Sequence, residues 1–159
     1  MALDIKIKSN VRNLQARYIK FAHKFPNIIN KGLLQAGENL VTAIKVRTDR
    51  GLDMNRQTFV SYSSGYAEAK GKSRVDLQDS NDMLNSIQSR LISKNKVRVD
   101  FRSPREAMKG FWHQTGAGNL PVRKFFGYDK RLENVIQKNF EKYIKQQIRG
   151  FGLWVLEKI

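Results

Sequence analysis

The chain has 159 residues, 40% of them hydrophobic, which is enough to bury a core, so we expect a single domain over residues 1–159. It contains no cysteine and only two histidines, which excludes disulfide bonds, thiolate zinc sites and cysteine nucleophiles. Its net charge of +16 favours anionic partners, whether nucleic acid, acidic protein surfaces or anionic lipid.

No apolar run is long enough for a membrane-spanning helix, and the first residues lack the apolar centre of a signal peptide. We therefore expect a soluble protein that is not exported and does not use a membrane. The two histidines, His23 and His113, are too few for a three-histidine metal site. We expect neither a metal nor a cofactor.

The N-terminal third carries apolar residues at helical spacing, which predicts a first helix over about residues 10–24. Pro26 is unfavourable inside a helix but suits the first turn of a new one. The sequence therefore predicts a break at residues 25–26 and a second helix that ends near Val46.

Residues 49–80 are rich in glycine, serine, asparagine and aspartate and show little periodicity, which indicates a long irregular connection. Three aromatic residues within it, Phe59, Tyr62 and Tyr66, are expected to pin this loop to the body of the protein.

A β-hairpin is predicted next. Leu84, Ile87 and Leu91 fit a strand or a short helix, and we favour a strand because a clear strand follows over residues 96–102. Residues 93–95 supply the turn that makes the pair antiparallel.

A short helix over about residues 104–114 follows, because Ser103 is a good N-cap and proline stands at the first helical position. Gly116 and Gly118 end it, and residues 119–128 form an extended segment. Asp129 then caps a long helix that stops near Gly150.

The apolar segment 151–159, with Trp154, is expected to pack on its own domain or to meet a neighbouring subunit. Together these elements predict an α+β fold. Its parts are two N-terminal helices, a long loop, a small antiparallel sheet, a short helix and a long C-terminal helix.

No motif of an enzyme is present. The chain lacks a phosphate-binding glycine loop, a cluster of metal ligands and a nucleophile elbow. His113, a serine and either Asp100 or Glu106 supply the residue types of a catalytic triad, but any chain of this size allows such a choice. We expect no catalytic residue, and a structural hydrogen bond is the expected role of His113.

Nucleic-acid binding is the alternative function. Arg123, Lys124, Phe125 and Phe126 combine basic and aromatic side chains, as single-strand binding surfaces do. The two phenylalanines are equally well explained as core residues, and no known nucleic-acid-binding motif accompanies them. A basic nucleic-acid-binding accessory protein therefore stays open as a second hypothesis.

Three segments resemble bacteriophage virion-morphogenesis and tail-completion proteins in order and spacing. They are residues 59–70 (FVSYSSGYAEAK), residues 75–87 (VDLQDSNDMLNSI), and His113-Gln114-Thr115-Gly116 followed by residues 120–127 (LPVRKFFG). The resemblance covers roughly residues 55–145 and includes a helix before it and a long helix after it.

The resemblance implies a small α+β subunit without catalytic activity that forms a ring, expected to be a hexamer, at the head–tail junction or tail end of a virion. Its partners would be identical copies, neck or connector proteins, and tail-tube or tail-terminator proteins, with incidental contact to genomic DNA. The protein would assemble in the host cytoplasm and reside in the virion. Exposed hairpin edges can add strands from a neighbour, and head-to-tail contacts that close give a ring.

The resemblance also implies architectural residues. His113, Gln114 and Gly116 would end the short helix and lock the turn toward Pro121, and Arg123 would position that segment by a charge-assisted hydrogen bond. The remaining residues of the predicted interface or architectural set are Tyr62, Tyr66, Lys70, Leu77, Leu84, Phe125, Phe126, Gly127 and Trp154. We expect most lysines and arginines to face acidic partner rings or solvent, because a basic bore would hold DNA.

Overall fold

The computed structural model describes residues 11–153. The helices are α1 (Val11–Asp49), α2 (Ser64–Lys70), α3 (Asp82–Asn85), α4 (Pro104–Thr115) and α5 (Lys130–Gly150), with a 3₁₀ turn at Ala117–Asn119. The strands are β1 (Ile87–Ser93) and β2 (Lys96–Phe101), which form an antiparallel two-stranded sheet. This α+β architecture confirms the predicted fold class.

The N-terminal third is one helix, so the predicted break at Pro26 is wrong. Helix α1 runs through Pro26 for 39 residues. A proline inside a helix costs about 3 kcal/mol. The apolar residues on both sides offset that cost, because Phe21 and Ile28 are buried in the same cluster with Leu153. Seven positions separate the two, about two helical turns, so one continuous helix keeps both on one face.

Helix α5 lies antiparallel to α1 and contacts it along most of its length. Near one end of α1, Arg47 contacts the segment that leads into α5, and at the other end the Phe21 and Phe151 rings lie 5.3 Å apart. Residues 12–20 of α1 extend beyond the end of α5, and all of them are exposed. Asp129 caps α5 as predicted, since its side chain accepts a hydrogen bond from the N–H of Leu132.

The hairpin packs on the middle of α1, where a glycine allows the close approach. A Cβ atom placed on Gly37 would collide with Ser89 Oγ and lie 2.8 Å from Val97 Cγ1. The predicted strand over residues 96–102 is confirmed as β2. Leu84 instead lies in α3, so the first strand begins at Ile87, later than the pattern of Leu84, Ile87 and Leu91 suggested.

The main core lies where the hairpin, α1 and the predicted loop meet. Its buried residues are Val41, Ile44, Phe59, Val75, Leu77, Met83, Leu84, Ile87 and Phe125. Phe59 pins the loop over residues 49–80 as expected, and Tyr62 packs against this core, but Tyr66 is about half exposed and does not. The loop is also not wholly irregular, because α2 forms within it. The C-terminal segment packs on its own domain as far as Leu153, and Trp154 lies outside the described residues.

Candidate functional site

A buried ion pair joins residues 59–70 to residues 75–87, the first two of the three segments singled out in the sequence. Lys70 Nζ lies 2.6 Å from Asp76 Oδ1 and donates a second hydrogen bond, of 2.9 Å, to the Tyr62 hydroxyl. The Asp76 side chain is 1% exposed and also accepts the N–H of Gln78 at 3.1 Å. Lys72 approaches the other carboxylate oxygen at 3.3 Å from a largely exposed position. The ion pair therefore ties the end of α2 to the chain that enters the core.

The pKa values of this pair follow from its hydrogen bonds. Burial acts to raise the pKa of Asp76, but hydrogen bonds from Lys70, the Gln78 N–H and Lys72 outweigh it and lower the pKa to about 2. Burial acts to lower the pKa of Lys70, and the hydrogen bonds to Asp76 and Tyr62 raise it above its ordinary value. Both groups are therefore charged at neutral pH.

Arg123 joins the third segment to the first. Its buried guanidinium donates to the main-chain carbonyls of Val60 at 3.1 Å and Ser61 at 3.3 Å. The guanidinium also lies over the Tyr62 ring, 5.2 Å from the ring centroid. Its charge-assisted hydrogen bonds thus end on backbone oxygens and position one extended segment against another, which matches the role expected of Arg123.

Gln114 holds the segment after α4 through two hydrogen bonds with the backbone of Phe126. Its Nε2 donates to the Phe126 carbonyl at 3.0 Å, and the Phe126 N–H donates to its Oε1 at 3.1 Å. Gly116 ends α4 with φ at 78°, and a Cβ there would lie 2.8 Å from Val122 Cγ2. The turn toward Pro121 therefore needs glycine at this position.

Phe125 and Phe126 anchor this segment on the sheet. Phe125 is fully buried in the main core, and its ring meets that of Phe101 on β2 edge to face. Phe126 stacks on the same Phe101 ring at a centroid distance of 5.2 Å. The expectation that both phenylalanines pack on the sheet is confirmed.

The contact of His113 is through its backbone rather than its ring. Its carbonyl accepts the N–H of Arg123 at 2.7 Å. Its Nδ1 is buried and has no hydrogen-bond partner among residues 11–153. Burial, and secondarily the nearby charge of Arg123, lower the pKa of His113, so the ring is neutral at pH 7. The expected hydrogen bond of the side chain is thus replaced by one of the main chain.

A cleft of about 590 Å³ brings residues from all three segments together. Those among the predicted set that line it are Tyr62, Tyr66, Lys70, Leu77, His113, Pro121 and Arg123. Ser61, Ser63 and Asp79 also line this cleft, but none of them is hydrogen-bonded to His113 within the described part of the chain. The cationic groups at the cleft are already engaged by a carboxylate or by carbonyls, as the hydrogen bonds of Lys70 and Arg123 show.

The other predicted residues lie elsewhere. Leu84 is in the main core, and Gln114 and Gly116 lie at the end of α4. Phe126 and Gly127 line a second groove, between the sheet and α5. A Cβ on Gly127, whose φ is 147°, would lie 3.2 Å from Met54 Sδ.

Arg47 is the structural residue that the sequence analysis missed. It is 9% exposed, and its Nη2 donates to the carbonyls of Phe125 at 2.6 Å and Gly127 at 2.9 Å. Burial lowers the pKa of Arg47, against the opposing charges of Asp129 and Asp53. Asp76 was also missed as a site residue. The one signal for Arg47 was its position three residues after the buried Ile44, which places a charged side chain on the apolar face of the helix.

Within residues 11–153 no group of three or more histidine, aspartate or glutamate side chains is placed to hold a metal ion. No helix in that part of the chain is long and apolar enough to cross a membrane. Comparison of the chain with protein-family models, with curated proteins and with solved structures found no match.

Proposed function

We propose that this chain is a non-catalytic structural subunit of a bacteriophage virion, located at the head–tail junction, where copies form a ring that joins the tail to the head. The proposal starts from the resemblance of the three segments to tail-completion proteins. Its supporting observation is that the polar residues of these segments bind one another and the main chain. Arg123, Gln114 and the Lys70–Asp76 pair all hold backbone segments in place.

The distribution of charge supports an acidic protein as the neighbour of this subunit. The part of α1 that extends beyond α5 carries Arg12, Arg17 and Lys20, Lys24 follows one turn later, and no acidic residue occurs before Glu38 in this helix. Leu14, Tyr18 and Ile19 on the same helix are about half exposed. A basic helix with exposed apolar side chains suits an acidic protein surface with an apolar groove better than it suits DNA, which offers phosphates but no such groove.

Inactivation of the gene in the phage that encodes the chain tests the proposal. We expect separate heads and tails by electron microscopy, and joined particles after complementation with the intact chain. Native mass spectrometry of the complex released from particles should show a ring, with six copies expected from the symmetry of the tail. Infectious particles that lack the protein would overturn the proposal.

Two assays distinguish the other classes of function: one measures DNA binding and the other measures catalytic turnover. An electrophoretic shift assay at physiological salt should show weak binding that disappears as salt is raised, whereas tight binding with a steep salt slope would favour the nucleic-acid-binding accessory protein. A hydrolytic activity that disappears in His113→Ala would favour an enzyme. Either result would overturn the structural role.

A further inference from the structure

An apolar groove runs beside the β2 edge of the hairpin. It has a volume of about 700 Å³ and lies between β2 and α5, with α1 as its floor. Leu33 and Leu40 of α1, Val97 and Val99 of β2, and Ile136 and Phe140 of α5 line it. All six of these side chains are only partly buried, so the groove offers apolar surface that nothing in the described part of the chain covers.

The wall that β2 contributes is an unpaired strand edge. Among residues 11–153, β2 pairs with β1 alone, and no other backbone segment is hydrogen-bonded to its outer side. A sheet of two strands is marginal in water, and a free edge next to an apolar surface accepts a further strand readily. The groove thus has the two features of a site for strand addition: main-chain hydrogen-bonding groups along one side and an apolar floor.

The chain itself contains a segment with the matching pattern. Before α1, the apolar residues Leu3, Ile5 and Ile7 alternate with the charged residues Asp4, Lys6 and Lys8. Strict alternation is typical of a strand with one apolar and one polar face. On the side of the sheet away from the groove, β2 carries Arg98 and Asp100. The charged side chains of a strand added at this edge would therefore lie beside both a positive and a negative charge.

This segment cannot lie in the groove of its own subunit. The groove begins at Leu33, which is 22 residues after Val11 and therefore about 33 Å along α1. Leu3, the most distant apolar residue of the segment, precedes Val11 by eight residues, and a fully extended chain spans about 28 Å over that separation. Residues 3–7 could therefore reach such a groove only on another molecule.

We propose that residues 3–7 of one copy add a strand to the free edge of β2 in a second copy and fill its groove with Leu3, Ile5 and Ile7. Each copy then donates its N-terminal segment to one neighbour and accepts the N-terminal segment of another at its own β2 edge. Such head-to-tail contacts close into a ring when the rotation between copies allows it. The inference rests on the homo-oligomer proposed above but not on its location in a virion.

Disulfide crosslinking tests the contact, because the 159-residue chain contains no cysteine. Asp4→Cys and, separately, Lys6→Cys are each mixed with Arg98→Cys and oxidised. Any mixed dimer must then join two molecules. We expect at least one mixture to give about tenfold more mixed dimer than the same donor with Arg90→Cys. Arg90 faces the same side but lies on β1, one strand further from the added segment and beyond the distance for a disulfide.

A strand-breaking variant checks the mode of contact. Ile5→Pro in the cysteine-bearing donor should reduce the mixed dimer about tenfold, because proline cannot donate to the ladder, whereas Ile5→Val should keep it. No excess over the Arg90→Cys control with either donor, or an excess that Ile5→Pro leaves unchanged, would overturn the inference. If the crosslink forms but virions lack the protein, this inference stands and the proposed function is overturned. If the protein joins heads to tails but the crosslink does not form, the proposed function stands and this inference is overturned.

Discussion

Lys70 Nζ lies 2.6 Å from Asp76 Oδ1, and both side chains are largely withdrawn from water, at 11% and 1% exposed. The two residues are six positions apart in sequence, and the ion pair closes the turn between the end of α2 and the segment that enters the core at Val75. The pair therefore connects the predicted loop to the body of the protein at a point where no apolar residue of α2 is buried.

Removal of one partner should be costly, because it leaves the other charge buried. We expect Lys70→Met to lower the free energy of unfolding by about 3 kcal/mol, measured by urea denaturation at pH 7. Lys72→Met is the matched control, since Lys72 contacts the same carboxylate but is 58% exposed, and its loss should cost less than about 1 kcal/mol. Equal effects of the two substitutions would contradict the importance of burial at this site.

The pKa of Asp76 makes stability depend on pH in the acid range. The folded-state pKa is about 2 and the ordinary value is 3.8, so the carboxylate stabilises the fold above about pH 4 and loses that contribution as the pH falls toward 2. The shift corresponds to about 2 kcal/mol. We expect Asp76→Asn to remove this component, so the difference in unfolding free energy between native and variant proteins should shrink between pH 5 and pH 2. A difference that stays constant over this range would contradict the depressed pKa.

The contact between Gln114 and Phe126 should stabilise the segment after α4. Gln114→Ala leaves the N–H and carbonyl of Phe126 without their side-chain partner, which should cost about 2 kcal/mol. Gln114→Glu keeps the acceptor for the N–H and loses the donor, so an intermediate cost is expected. The control is Gln137→Ala, whose exposed side chain bonds only within α5 and should change stability by about 0.5 kcal/mol or less. Thermal unfolding of the three variants provides the comparison.

Close packing of the hairpin on α1 makes Gly37 sensitive to any side chain. Alanine is about 1 kcal/mol better than glycine in a helix, yet its Cβ at position 37 would lie 2.8 Å from Val97 Cγ1. We expect Gly37→Ala to destabilise the protein by about 1 to 3 kcal/mol through overpacking. Gly65→Ala in α2 meets no atom within 4 Å and should be neutral or slightly stabilising. The midpoint of urea unfolding distinguishes the two, and a stabilised Gly37→Ala would show that the hairpin does not pack as described.

Local signals predicted the elements that depend on neighbours in sequence. Ser103 and Asp129 begin their helices as expected, because a cap needs only an N–H three residues away. The alternation of Val97, Val99 and Phe101 identified β2 for the same reason, since the period of a strand is visible within six residues. The resemblance of the three segments also singled out Arg123 and Gln114. The hydrogen bonds of Arg123 end on the backbone of the first segment, and those of Gln114 end on the backbone of its own segment.

Other features depended on contacts between distant parts of the chain. Helix α1 continues through Pro26 because Phe21 and Ile28 share a cluster with Leu153, and the local preference of proline could not anticipate that packing. Arg47 holds the carbonyl of Phe125, which is 78 residues further along the chain, and the residues near Arg47 in sequence do not identify that partner.

The sequence by itself determined the α+β composition, the helix caps and the hairpin, because hydrophobic periodicity and capping act over a few residues. Only the tertiary structure decided that Asp76 is a buried charge, that seven of the predicted residues line one cleft, and that an apolar groove borders the free edge of β2. Burial and enclosure arise where distant segments exclude water together, so they are properties of the packed chain and not of any local stretch.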